Sequence, residues 1–186
     1  MTRRRSKIIR MDQWDDDPGK PKLMSDKVPL CDLSPRWAMH YIWDTLYFSQ
    51  FKRSKEGRPF REIKSSPDDA RTFADEAVKF LRKIVNSFES FAIVTTPRRR
   101  HDGGYHFATE VCRHISADLG IPFYDGAVAT MNRDRLHPDF ILLREIAEPH
   151  IIVYDDIITT GATLIATSTL FADKPIVLNV IGISNR

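Results

Sequence analysis

Three shortages narrow what this chain can be. Cysteine is scarce: Cys31 and Cys112 stand far apart and without metal-ligand spacing. That usage argues for a reducing, cytoplasmic setting. Long apolar runs are missing, and none approaches the roughly 18 residues needed to cross a membrane, so a membrane partner is not expected. The N-terminus is basic, but charged residues follow it and no apolar core of a secretory signal appears. A large excess of one charge is also missing, with 28 Lys+Arg against 25 Asp+Glu and a net charge of +3. Much of the surplus sits in two clusters, Thr2 to Lys7 and Arg98-Arg99-Arg100. It forms no long stripe, so a nucleic-acid partner is left open rather than demanded. The plainer reading of the first cluster is a solvated tail. There is no internal repeat and no low-complexity domain.

What the chain does have is enough apolar material for a core. Its 186 residues are 42% hydrophobic, which suits one domain with a small attached lobe. Residues 1–35 read as an irregular basic segment, broken by Asp15-Asp16-Asp17-Pro18-Gly19-Lys20-Pro21. Residues 36–65 hold an aromatic patch of Trp37, Tyr41, Trp43, Tyr47, Phe48 and Phe51, followed by charged residues, and read as a hood or flap. The α/β core is expected over 66–186. Ser66, Pro67 and Asp69 mark a helix start. Phe73, Ala77, Phe80, Leu81, Ile84 and Phe88 give that helix one apolar face over about 66–88. Phe91 to Thr95 is a short apolar strand. A second helix is expected over about 105–118, stopped by Gly120. Phe140 to Ile146 is ambiguous between helix and strand. Ile151 to Tyr154 is a buried-type strand, a helix follows from Ala162 to about Phe171, and a last strand covers Ile176 to Ile181. This alternation of continuously apolar strands with helices predicts a mainly parallel central sheet flanked by helices. Such sheets bind ligands at the carboxyl edge of their strands.

The chemistry concentrates at that edge. Asp155 and Asp156 follow the apolar strand Ile151 to Tyr154. Two adjacent carboxylates repel each other and need a cation, donors or exposure. Side chains at i and i+1 of a strand point to opposite faces, so both address one ligand only where the strand ends. A ribose offers two vicinal hydroxyls, and Mg²⁺ reduces the repulsion. Thr159-Thr160-Gly161-Ala162-Thr163 then opens a helix. Its first N–H groups have no intrahelical acceptor, three hydroxyls add donors, and the glycine permits close approach, which makes a phosphate cradle. The loop has no lysine, so the pattern of a nucleoside-triphosphate-binding loop is not met.

The run Ile151 to Thr163 resembles the signature of the type I phosphoribosyltransferases. The resemblance covers about residues 66–186. It implies that Asp155 and Asp156 contact the ribose hydroxyls and bind beside Mg²⁺. It implies that Thr159, Thr160, Gly161, Ala162 and Thr163 hold the 5′-phosphate. The co-substrate would be 5-phosphoribosyl 1-pyrophosphate. Tyr154 departs from the usual aliphatic residue. Thr95-Thr96-Pro97-Arg98 falls where the family has its pyrophosphate loop, so Thr96, Arg98 and Arg99 are expected at that group. Arg133, Arg135 and His137 fall where the family has a flexible loop, with the two arginines as catalytic candidates. The activity implied is transfer of a phosphoribosyl group to a nitrogen nucleophile with release of pyrophosphate.

Within that family the layout looks most like the ComF-type proteins. Phe51-Lys52-Arg53 resembles their aromatic-lysine stretch, and Gly104-Tyr105-His106-Phe107 falls near their Gly-Phe-Asn-Gln segment. Gly103 replaces their usual arginine, and their four-cysteine zinc module is absent. Thr159 stands where hypoxanthine-guanine types usually carry an aspartate, and a threonine cannot serve as that base. The acceptor classes left open are orotate, adenine, uracil, xanthine and amide types. A non-catalytic sensor of the sugar phosphate, or an accessory protein binding nucleic acid or a protein partner, is the alternative function. A homodimer is a further expectation.

Overall fold

The structure is a computed structural model that describes residues 29–97, 104–132, 134 and 137–184. Its centre is four parallel strands, β3 (Thr45–Ser54), β9 (Ile176–Ser184), β8 (His150–Ile158) and β5 (Phe91–Thr95), adjacent in that order. Their register sets Phe48 beside Val180, Val180 beside Tyr154, and Tyr154 beside Thr95. The short strands β1 (Leu30–Asp32) and β4 (Arg58–Pro59) extend the sheet antiparallel beyond β3, and β2 (Ala38–Ile42) pairs along the other half of β3. The apolar runs of β5 and β8 are buried throughout Phe91–Thr95 and Ile151–Tyr154, as strands covered on both faces must be. The expected mainly parallel sheet flanked by helices is what the chain forms.

Alternation along β8 assigns the two faces. Ile152 and Tyr154 pack with Phe73 and Phe107 of the helices α2 (Pro67–Ile84) and α3 (Phe107–Leu119). Ile151 and Val153 pack with Leu164 and with Phe171, which follows α4 (Ala162–Thr169). The ends of α2 and α3 are set locally. The Ser66 side chain accepts from the Asp69 N–H at 3.2 Å, Pro67 opens the first turn, and Arg82 and Lys83 lie in the last turn, where they complement the helix dipole. The helix stops at Ile84, short of the expected 88. Val85 is already extended, and Asn86 and Ser87 favour turns over helix; Phe88 instead packs on Phe91, ring centroids 5.7 Å apart. In α3, His106 is the N-cap and Gly120, at φ +67°, ends the helix. The ambiguous segment after residue 139 resolves into β7 (Phe140–Leu142), antiparallel to β6 (Val128–Thr130) in a two-stranded ribbon.

Residues 36–65 contribute β2, β3, β4 and the short helix α1 (Phe60–Ile63). They are less separate than a hood would be, because β3 lies in register with β9 inside the central sheet. Most of the aromatic patch serves packing. Trp37 stacks on Phe80 at 3.9 Å, Phe48 lies 5.1 Å from the same ring, and Phe51 meets Phe73 at 4.4 Å. Tyr47 is fully buried, whereas Tyr41 and Trp43 stand in solvent.

Candidate functional site

All four parallel strands end at one edge, and β8 brings the acidic pair to it. The strand does not stop at Tyr154. Ile157 and Ile158 pair with Ile183 and Ser184 of β9, so both aspartates lie inside the ladder rather than at a turn. The expectation that they sit at a strand end is corrected accordingly. Ile157 and Ile158 are apolar and find packing partners, so the chain stays extended through the aspartates. Side-chain alternation does not continue through the pair: Tyr154 and Ile157 pack in one cluster, Val153 and Ile158 in the other.

Their partners differ. In the register Thr95 faces Tyr154, so Thr96 falls beside Asp155. The Thr96 Oγ1 donates to Asp155 Oδ1 at 3.0 Å, and the Asp156 N–H donates to the same oxygen at 2.9 Å. The Thr96 N–H donates to the Tyr154 carbonyl at 3.2 Å. Asp156, only 6% exposed, forms an ion pair through Oδ2 with Lys64 Nζ at the end of α1. Among the described residues, Asp155 Oδ2 and Asp156 Oδ1 accept no hydrogen bond. Burial, and then the neighbouring Asp156 charge, push the Asp155 carboxyl up to about 7, against the hydrogen bonds and Lys64, which pull it down. Asp155 therefore holds its proton well above the usual carboxylate range.

The loop after β8 is open. Thr159 and Thr160 are exposed, Ala162 and Thr163 half-buried, and Gly161 buried. Gly161 is the N-cap of α4 at φ +85° and has no side chain to cap it. A β-carbon there would lie 2.5 Å from Ile42 Cδ1, so the glycine is required both by conformation and by the hairpin behind it. The Ala162 N–H reaches Thr160 Oγ1 at 3.4 Å, and the helical ladder begins with the Ile165 N–H donating to the Gly161 carbonyl at 2.9 Å. Exposed Thr159 and Thr160 thus stand beside a helix start whose first N–H groups have no intrahelical acceptor, with the Ala162 N–H already reaching Thr160.

The structure brings Thr96, Asp155, Asp156 and the Thr159–Thr163 loop to one edge. Arg98, Arg99, Arg133 and Arg135 lie outside the described residues. The ribbon β6–β7 leads into the segment that carries the latter two, and His137 there pairs with Asp134 at 3.3 Å. Gly104-Tyr105-His106-Phe107 serves helix ends, with Tyr105 Oη donating to the Ser66 carbonyl at 3.1 Å and His106 capping α3.

Two residues at the site carry no local sequence signal. Lys64 is one lysine in a charged stretch, and no local pattern pairs it with Asp156. Gly182 lies across from Asp156 in β9. A β-carbon at Gly182 would come within 2.8 Å of the Asp156 carbonyl oxygen and 3.0 Å of Tyr154 Oη. The glycine makes room for the fully buried Tyr154, whose hydroxyl has no hydrogen-bond partner among the described residues.

A metal has few protein donors here. Among the described residues no three His, Cys, Asp or Glu side chains converge. Two carboxylates with one free oxygen each suit Mg²⁺, which keeps waters and takes its other oxygens from a phosphate ligand. Among the described residues no helix is long and apolar enough to cross a membrane.

No family model and no curated protein matches the sequence. Solved structures do match the fold. An adenine phosphoribosyltransferase aligns at TM-score 0.50 and 15% identity, over 80% of this chain and 84% of that one. The Saccharomyces cerevisiae adenine phosphoribosyltransferase, solved with an imino-altritol bisphosphate and adenine, aligns at TM-score 0.51 and 16% identity over the same shares. The chain therefore has the α/β fold seen in phosphoribosyltransferases.

Proposed function

We propose that the chain binds 5-phosphoribosyl 1-pyrophosphate with Mg²⁺ and transfers the phosphoribosyl group to a nitrogen nucleophile, releasing pyrophosphate. The observation that carries this reading is one conjunction. A buried parallel strand delivers two aspartates, each with one free oxygen, and an uncapped helix with two exposed threonines follows at once. The same fold in a protein solved with a bisphosphate and adenine supports it.

Each residue has a role in that reading. The hydroxyls of Thr159, Thr160 and Thr163 and the first-turn N–H groups of α4 hold the 5′-phosphate. Asp155 and Asp156 would accept from the ribose hydroxyls and would hold the metal beside them. Thr96 fixes Asp155. Mg²⁺ held there would supply positive charge toward the leaving pyrophosphate. Arg98, Arg99, Arg133 and Arg135 donate to that group as the C1–O bond breaks and the C1–N bond forms. The proton on the entering nitrogen passes to solvent, because Thr159 offers a hydroxyl and not a base. Positioning and leaving-group electrostatics thus carry the rate. A ComF-type assignment and a homodimer belong to this proposal as its finer parts.

Calorimetry with the sugar pyrophosphate and Mg²⁺ tests the binding. Release of labelled pyrophosphate with adenine, guanine, hypoxanthine, orotate, uracil and xanthine tests the transfer. No binding at millimolar ligand would sink the proposal. Binding without release for any acceptor would assign the chain to sensing instead. Rapid turnover of hypoxanthine would overturn the argument from Thr159.

A further inference from the structure

Trp43 fills a position where the fold has no use for its ring. Ile42 of β2 pairs with Thr45 of β3, so Trp43 and Asp44 form a two-residue turn. Trp43 lies at φ +52°, and among the described residues it alone has a positive φ without being glycine. A hairpin turn with its positive φ at the first central position takes glycine there by preference, and a residue with a β-carbon is destabilised in that conformation. Packing does not offset the cost, because Trp43 is 87% exposed. A side chain kept in a sparsely populated conformation and left in solvent points to function rather than to folding.

The turn lies at the site. Ile42, the residue before Trp43, is buried and packs so closely on the N-cap of α4 that a β-carbon on Gly161 would lie 2.5 Å from its Cδ1. The hairpin tip is thereby fixed beside the phosphate loop. Strand order gives the side it occupies. β5, with Thr96 after it, flanks β8 on one side, and β9, β3 and then β2 follow on the other. A pyrophosphate at Thr96 and the hairpin at Gly161 are therefore at opposite ends of a ligand that crosses the acidic pair. Thr159 and Thr160 are exposed, so the loop does not enclose a phosphate from outside.

We infer that Trp43 is a ligand-binding residue whose indole stacks on a flat ring attached through the 5′-phosphate, so that the site accepts, besides the sugar pyrophosphate, a ribose 5-diphosphate that carries a nucleoside. This rests on the phosphoribosyl reading of the loop. The ring bound by Trp43 is not the entering nitrogen compound, which meets C1 at the pyrophosphate end. Stacking one base on an aromatic side chain is worth roughly tenfold or more in affinity.

The test is calorimetry of the full chain, with Mg²⁺, against adenosine diphosphate ribose and against ribose 5-phosphate, which lacks the outer ring. The unaltered chain should bind the first about tenfold more tightly than the second. Trp43→Gly should remove that difference, and its urea midpoint should equal or exceed that of the unaltered chain, since glycine suits the turn. Trp43→Phe keeps a ring and should keep most of the difference. Equal affinity of the unaltered chain for the two ligands overturns the inference, and so does a Trp43→Gly chain that keeps the difference. A Trp43→Gly chain of clearly lower stability, or one that loses ribose 5-phosphate as fully as the larger ligand, overturns it too, because the indole would then serve the fold. If the sugar pyrophosphate binds and the outer ring adds nothing, the inference alone fails. If none of the three ligands binds, the functional reading fails and the inference falls with it.

Discussion

Replacing Asp155 by asparagine should stabilise the protein, and the gain should depend on pH in one direction. An aspartate in an unfolded chain loses its proton near 3.9, whereas burial and the Asp156 charge hold Asp155 at about 7. Between those values the folded chain keeps a proton that the unfolded chain has released. Stability is therefore lost as pH rises from about 4 to about 7, and the loss is complete above 7. At about 1.4 kcal/mol for each pH unit between those limits, the ceiling on that loss is about 4 kcal/mol. The carboxyl is only part-buried by exposure, so screening should leave roughly 2 kcal/mol. The asparagine keeps a side-chain oxygen for Thr96 and for the Asp156 N–H, so the hydrogen bonds of the site survive the change. In a chain of this length 2 kcal/mol corresponds to about 4–8 °C in Tm. Urea unfolding of both proteins between pH 4.5 and 8.5 measures the difference directly, since every other titrating group is common to the two. Curves that stay parallel across that range, or an asparagine variant that is the less stable above pH 7, would refute the reasoning. The same variant should bind the sugar pyrophosphate poorly, an exchange of stability for function at a destabilised site.

Other changes probe the frame around the pair. Gly161→Ala should cost about 1–2 kcal/mol, from the left-handed conformation and the clash with Ile42, and should weaken phosphate binding; unfolding curves and phosphate titration check both. Tyr154→Phe removes a buried hydroxyl without a partner among the described residues and should leave stability unchanged or raise it by about 1 kcal/mol, read from chemical denaturation. Gly182→Ala should destabilise by about 2 kcal/mol or more, because the contact it creates is with backbone, and it should lower ligand affinity with it. The Cys112 thiol is fully buried and burial pushes it well above its ordinary value, so a thiol reagent should modify it only after unfolding.

The parts of the chain that are legible in sequence are those whose signals are local. Ser66, Pro67 and the apolar spacing behind them announce α2, Gly120 announces the end of α3, and the continuous run Ile151 to Tyr154 announces a central strand. The place of residues 36–65 has no such signal. β3 joins the sheet by parallel pairing with β9, and Asn179 Nδ2 donates to the Leu46 carbonyl across 133 residues of chain. A pattern of aromatics and charges cannot express a partner so distant, and Phe51 or Tyr47 in the core looks the same in sequence as either ring in a flap. The extent of β8 escapes a local reading for a related reason. Aspartate is depleted in strands by intrinsic preference, and the pairing of Asp155, Ile157 and Ile158 with β9 carries the strand through it. The phosphate loop is legible because glycine and threonine encode its conformation locally, whereas Lys64 reaches Asp156 only through the fold.

The two aspartates take two different kinds of relief. Asp156, the more enclosed by exposure, has the full charge of Lys64. Asp155 has a hydroxyl and an N–H, which are dipoles, and these do not offset burial and a neighbouring charge, so it holds its proton to about neutrality. The two aspartates are thereby inequivalent before any ligand arrives. Charge neutralised from outside should act chiefly on Asp155, because Asp156 already has its counter-ion. A cation carried in by a ligand would draw the proton from Asp155 and ionise it, and the energy stored in that carboxyl would be released on binding. The residue least favourable to the empty fold is then the one that gains most from the complex, which is how a binding site differs from a salt bridge that merely stabilises.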